Sequence, residues 1–120
     1  MSVHGMPKPG VSLSNGTINE VSLDSPVARL GRAFVAQFSD QNVTVCNPHE
    51  GSEYANRMCG TGNVQGRHLN GSTNPCTVPS TTASERFIHL ELSKPMRKKP
   101  AGVAEALRVG LGPTSPKALP

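Results

Sequence analysis

The chain has 120 residues, no tryptophan, one tyrosine and three phenylalanines, an aromatic share of only 3%. Large rings supply much of the buried area of a small core. A core built from this chain alone is therefore expected to be thin, relieved by partial disorder or completed by a second copy. Long apolar runs are lacking too. Nothing approaches the roughly 20 residues that span a bilayer, so no membrane partner is expected. The N-terminus, MSVHGMPKPG, sets proline and glycine where a secretory signal keeps its apolar stretch, and no export signal is read there. Catalytic signatures are also lacking: no nucleophile elbow, no cysteine–histidine signature, no paired carboxylates. Gly60-x-Gly62 is too short for a phosphate loop. The expectation is no enzyme, no cofactor and no small-molecule substrate.

The three cysteines, Cys46, Cys59 and Cys76, are an odd number, so any bridge within the chain leaves a thiol over. Free thiols in a reducing compartment are the first expectation, and a disulfide between copies is the alternative. Cys46-x-x-His49 has the spacing of a zinc knuckle, yet no second close pair completes a tetrahedral site, and no metal is expected.

What is present is positive charge, unevenly placed. The net charge is +4; residues 1–85 sum to −1 and residues 86–120 to +5. Such asymmetry suits a polyanion or an acidic partner surface as well as a plain solvated face. Arg97-Lys98-Lys99 stands just before a helix N-terminus, where cations oppose the macrodipole, so phosphate contact is one reason for its placement.

Along the chain, residues 1–10 read as a loose arm. Val11–Leu13 and Ile18–Leu23 flank Asn15-Gly16, the signature of a β-hairpin. DSPVARLG reads as a connector. RAFVAQF and NVTVC flank Ser39-Asp40-Gln41 as a second hairpin, with Phe34, Ala36 and Phe38 on one face and Val43 and Val45 facing the core. Residues 47–84 are rich in glycine, asparagine, serine and threonine and read as loop, with short strands near Arg57–Met58 and Arg67–Leu69 as the alternative. In RFIHLELSK, Ile88, Leu90 and Leu92 share one face while Phe87, His89, Glu91 and Ser93 share the other, and Pro95 ends the strand. Pro100 opens a helix whose Val103, Leu107 and Leu111 form an i, i+4, i+8 stripe. Residues 113–120 are a proline-containing tail. Phe87 and His89, an aromatic and a polar ring two apart, can stack and read an unpaired base.

Three stretches carry a family likeness: VSLSNGTINEVSLDSP, RAFVAQFSDQNVTVC and ERFIHLELSKP with its basic linker and short helix. Their order resembles the coat proteins of single-stranded RNA bacteriophages, the levivirus type. The resemblance implies one α+β domain over residues 1–120. It would have an N-terminal hairpin, an antiparallel sheet of about five strands, and a short C-terminal helical segment packing on the sheet of a dimer partner. Ile88, Leu90, Leu92, Val103 and Leu107 would then form the dimer core. The opposite face would look inward to RNA, with Phe87 stacking a base, His89 reading it, and Asn42 and Thr44 beside them. The loop over residues 71–84 would gather at symmetry axes, where Cys76 is a candidate for disulfides between subunits.

The function so implied is a homodimeric, self-assembling capsid protein. It would form an icosahedral shell around single-stranded RNA, bind a hairpin operator, and reside in the virion after assembly in bacterial cytoplasm. The alternative is a small, partly disordered basic accessory protein that binds RNA or an acidic partner without assembling.

Overall fold

Ser25 and Pro26 start the first helix. Serine caps it by accepting a hydrogen bond at Oγ from the Ala28 N–H (3.3 Å), and proline occupies the first turn, where no amide partner is lost. A computed structural model describes residues 1–17, 21–46 and 59–113. Its elements are β1 (Ser2–Met6), β2 (Val11–Ser14), α1 (Pro26–Gln37), β3 (Val43–Val45), α2 (Val64–Leu69), β4 (His89–Ser93), α3 (Lys94–Arg97) and α4 (Pro100–Leu111). The class is α+β, as expected.

The second hairpin is corrected. RAFVAQ belongs to α1 and Phe38 caps its C-terminus; Val27, Leu30, Ala33 and Phe34 are buried and Ala36 is exposed. The spacing from Val27 through Leu30 and Phe34 is helical, and it begins upstream of the segment that looks alternating. Nor does Asn15-Gly16 lead into a second strand. It makes a turn, with Gly16 at φ 84°, but Val21–Leu23 is not strand, and residues 18–20 lie outside the described residues. The arm is corrected as well, since Ser2–Met6 forms β1. Arg67–Leu69 lies in α2 rather than in a strand, while Arg57–Met58 lies outside the described residues. Pro95 ends β4 as expected, and does so in the first turn of α3.

Among the described residues the sheet has four strands in the order β1-β4-β2-β3. It is mixed rather than antiparallel: β1 runs parallel to β4, β2 parallel to β3, and only β2 and β4 are antiparallel. The reason is that the first residues insert beside the last strand, with Ser2 donating its N–H to the Ile88 carbonyl at 2.9 Å.

One sheet face carries Val11, Leu13, Leu90 and Leu92 into a cluster with Val27, Leu30, Phe34 and Phe38 of α1 and the segment after it. Helix α4 then lies on α1. A side chain at Gly110 would come within 2.8 Å of the Leu30 Cα, so glycine is what lets the two helix backbones approach. The buried positions of α4 are accordingly Ala106 and Gly110. Val103 and Leu107 are half-buried at the margin, and Leu111 is exposed. The five residues expected at a dimer core do gather in one place, but they meet within a single chain. Among the described residues twelve buried ones form this core, so thinness of the core is no longer an argument for a sister molecule's helix.

Candidate nucleic-acid interface

Strand alternation that sends leucine and valine into the core sends every partner residue to the opposite face. There the cross-strand register aligns Thr44, Ser12, Glu91 and His4 in one row, and Ser14, His89 and Ser2 in the next. Met6 and Ser93 pair in a third row. Apart from Met6 the face is polar, and most of it is covered: Ser2, Ser12, Ser14, His89 and Ser93 are buried, while His4 is exposed and Thr44 and Glu91 are half-buried.

His89 is its centre. The ring is 7% exposed and its Nε2 lies 2.9 Å from Glu91 Oε1, the carboxylate accepting. The His4 ring stands 5.0 Å from it, tilted by 30°, and His4 Nε2 is 2.7 Å from Ser2 Oγ. Asn63 couples this group to the next element. Its Oδ1 caps α2 by accepting from the Gly66 N–H (2.9 Å), and its Nδ2 donates to Ser2 Oγ (3.3 Å). Over the other flank of His89 lies Gly60, at φ 66°; a Cβ there would fall 3.0 Å from both His89 Cβ and Ser14 Oγ. What presses Gly60 down is the neighbouring disulfide. Cys46 and Cys59 are bridged with Cα atoms 5.3 Å apart, and the Cys46 N–H donates to the Leu13 carbonyl at 2.7 Å. This pairing corrects the expectation of free thiols for two of the three cysteines; Cys76 is free and exposed.

Of the four residues expected to meet RNA, Thr44 and His89 share the polar face as anticipated. Asn42 is exposed at the rim, its carbonyl accepting from the Val11 N–H at 2.8 Å. Asn42, Thr44, Ser12, Met6 and Lys8 line a hollow of about 410 Å³. Phe87 is corrected. It has the right strand parity but is 2% exposed, held beneath Gly16 and Gly66, so its ring is a plug under α2 and not an open stacking surface. Nothing local in the sequence points to His4, Ser2 or Asn63, because β1 carries no strand pattern of its own.

The basic segment after β4 borders the same end of the sheet. Arg97 donates to the Leu92 carbonyl (3.2 Å) and folds over Gly5, and Lys99 stands 5.8 Å from the centre of the Phe38 ring. Part of the Arg97-Lys98-Lys99 triplet is thus structural. Lys94 and Lys98 are exposed, and Lys94 and Arg97 line a second hollow that shares Met6 and Pro9 with the first. Among the described residues no group of three or more histidines, cysteines or carboxylates is placed to hold a metal ion, and no helix is long and apolar enough to cross a membrane.

Comparison with family models, with curated proteins and with solved structures returns no match, so the chemistry of the face is what defines the site.

Proposed function

We propose that this chain binds single-stranded RNA across the polar face of its sheet, without strict sequence preference. The observation that carries the reading is the exposed His4 ring set beside His89 on a mostly polar sheet face whose end is bordered by Lys8, Lys94 and Arg97. An unpaired base stacks on the outer imidazole, the Asn42 amide and the Thr44 hydroxyl take base or ribose edges, and the ammonium and guanidinium groups take phosphates. Binding to an unstructured oligoribonucleotide, followed by anisotropy at graded salt, tests it. Three cationic contacts with a single strand give a log–log salt slope of roughly −2. Binding that ignores salt, or none at low ionic strength, refutes the reading. In the Lys94→Gln variant the slope shallows.

A second reading adds assembly. The sequence resembles phage coat proteins, and in this sheet β1 and β3 are the edge strands, as edge-to-edge joining of two copies requires. Under that reading the chain is a homodimeric shell protein of a virion assembled in bacterial cytoplasm, and the exposed Cys76 cross-links neighbouring subunits. Electron microscopy of the purified protein separates the two: particles support the shell, and a uniformly small species leaves the RNA-binding module. Non-reducing gels of any particles test Cys76, a purely monomeric band excluding the cross-link.

A further inference from the structure

Three polar atoms of the same sheet face, Ser14 Oγ, Ser93 Oγ and His89 Nδ1, are buried without a hydrogen-bond partner among the described residues. Each such atom has given up its hydrogen bond to water without gaining another. Buried polar groups without a partner call for an explanation, and a working site is one that accounts for three of them on one face. In the same place stand two proton-carrying groups with unlike surroundings. Glu91 is oriented by His89 through one carboxylate oxygen, its side chain 17% exposed, while His4 is exposed and braced at Nε2 by Ser2. His4 and Glu91 are register partners on adjacent strands, so their side chains rise from neighbouring backbones about 5 Å apart. From β2 and β3 the neighbours are Ser12 and Thr44, which do not titrate; the titratable groups facing Glu91 are His4 from β1 and His89 from its own strand.

We infer that His4 and Glu91 form a metal-independent general acid–base pair that cleaves the bound RNA strand, with His89 as the positioning residue. The inference rests on the RNA-binding reading above and goes against the expectation of no catalysis, because the groups come from opposite ends of the chain and form no linear motif.

The step balances without a co-reactant. The free oxygen of the Glu91 carboxylate takes the proton of a ribose 2′-hydroxyl, and the 2′-oxygen bonds to the adjacent phosphorus. The bond from phosphorus to the 5′-oxygen breaks, and protonated His4 gives its proton to that leaving oxygen. The products are a 2′,3′-cyclic phosphate end and a 5′-hydroxyl end, and exchange with water restores both side chains. Positioned acids and bases of this kind contribute about 10²- to 10⁴-fold each.

The test uses the full oxidised chain, excess chelator, and a short unstructured oligoribonucleotide in ordinary and fully 2′-O-methylated forms. The expected result is cleavage of the ordinary RNA to cyclic phosphate ends and none of the methylated RNA, which still binds. At saturating RNA, Glu91→Gln and His4→Gln each lose about 10²-fold or more in kcat. His89→Gln lowers kcat with KM nearly unchanged and displaces the acid limb of the pH profile, which a purely structural residue would not do. If methylated RNA binds but ordinary RNA stays whole, the inference falls and the binding reading stands. If neither binds, both fall. Cleavage that persists in both Glu91→Gln and His4→Gln overturns the assignment.

Discussion

Replacing Cys46 and Cys59 together by alanine opens the bridge that seats Gly60 over His89. The two cysteines are 13 positions apart, and a closed loop of that size restricts the unfolded chain by about 3 kcal/mol in the chain-entropy account. Both residues are buried, at 2% and 3% exposure, and alanine in place of a half-cystine leaves no unpaired polar group. Loop closure therefore dominates the effect. Unfolding entropy near 2.1 cal/mol/K per residue gives about 0.25 kcal/mol/K for 120 residues. The double variant should then melt roughly 12 °C below the oxidised parent. Circular dichroism melts of the parent, the parent under reductant and the double variant make the comparison. The reduced parent should fall near the variant, since both lack the cross-link. RNA binding should weaken in the variant even well below its melting point, because Gly60 no longer confines Ser14 and His89. A melting shift under about 2 °C, or a peptide map in which Cys46 is not joined to Cys59, would refute the reasoning.

Phe87→Ala separates the buried ring from an exposed one: removing it should cost about 3–5 kcal/mol in a denaturant titration, whereas loss of RNA affinity at unchanged stability would restore the ring to the surface. Gly110→Ala pushes a methyl against the Leu30 backbone and should destabilise by about 1–3 kcal/mol, with alanine in place of the exposed Val109 nearly neutral in the same assay. Glu105 accepts two hydrogen bonds from the Arg108 guanidinium (2.9 and 2.7 Å), which hold its carboxyl below the ordinary range and raise the Arg108 value. With the folded value lowered, this support for α4 is complete above the unfolded carboxylate range and fades as pH falls through the lowered value. An NMR titration of Glu105 in the parent and in Arg108→Ala should show the midpoint rising when the guanidinium is removed.

The parts of this fold that were legible carry their period inside one element. RFIHLELSK alternates over its whole length, and NVTVC and VSLS do so over theirs. Pro100 and Gly112 bracket α4 by known terminal preferences. Helix α1 was hidden because Phe34, Ala36 and Phe38 alternate by accident within a longer helical pattern that starts at Val27. Ser25-Pro26, which announces that helix, also reads as an ordinary turn. The stripe on α4 was placed one position off, because burial there follows the small residues Ala106 and Gly110 that allow close approach and not the largest side chains. Strand β1 could not be recognised from its own five residues, whose glycine and histidine favour no sheet. It exists because β4 offers it a parallel edge. The site divides the same way. Thr44 and His89 were placed on the correct face by parity, whereas the meeting of His4 with Glu91 depends on strand order, which no local pattern encodes. Phe87 had the right parity and the wrong exposure, since α2 arrives from the segment that reads as loop.

The strand order also sets a timetable. β4 is the partner of both β1 and β2, yet it is the last of the described strands to leave a ribosome, so β1 and one edge of β2 wait unsatisfied until residues 89–93 emerge. Closing such distant pairings makes folding slow and postpones it until β4 has emerged. Nascent fragments ending before Ser93 should therefore be the species most in need of a chaperone, and the ones most prone to stick to each other.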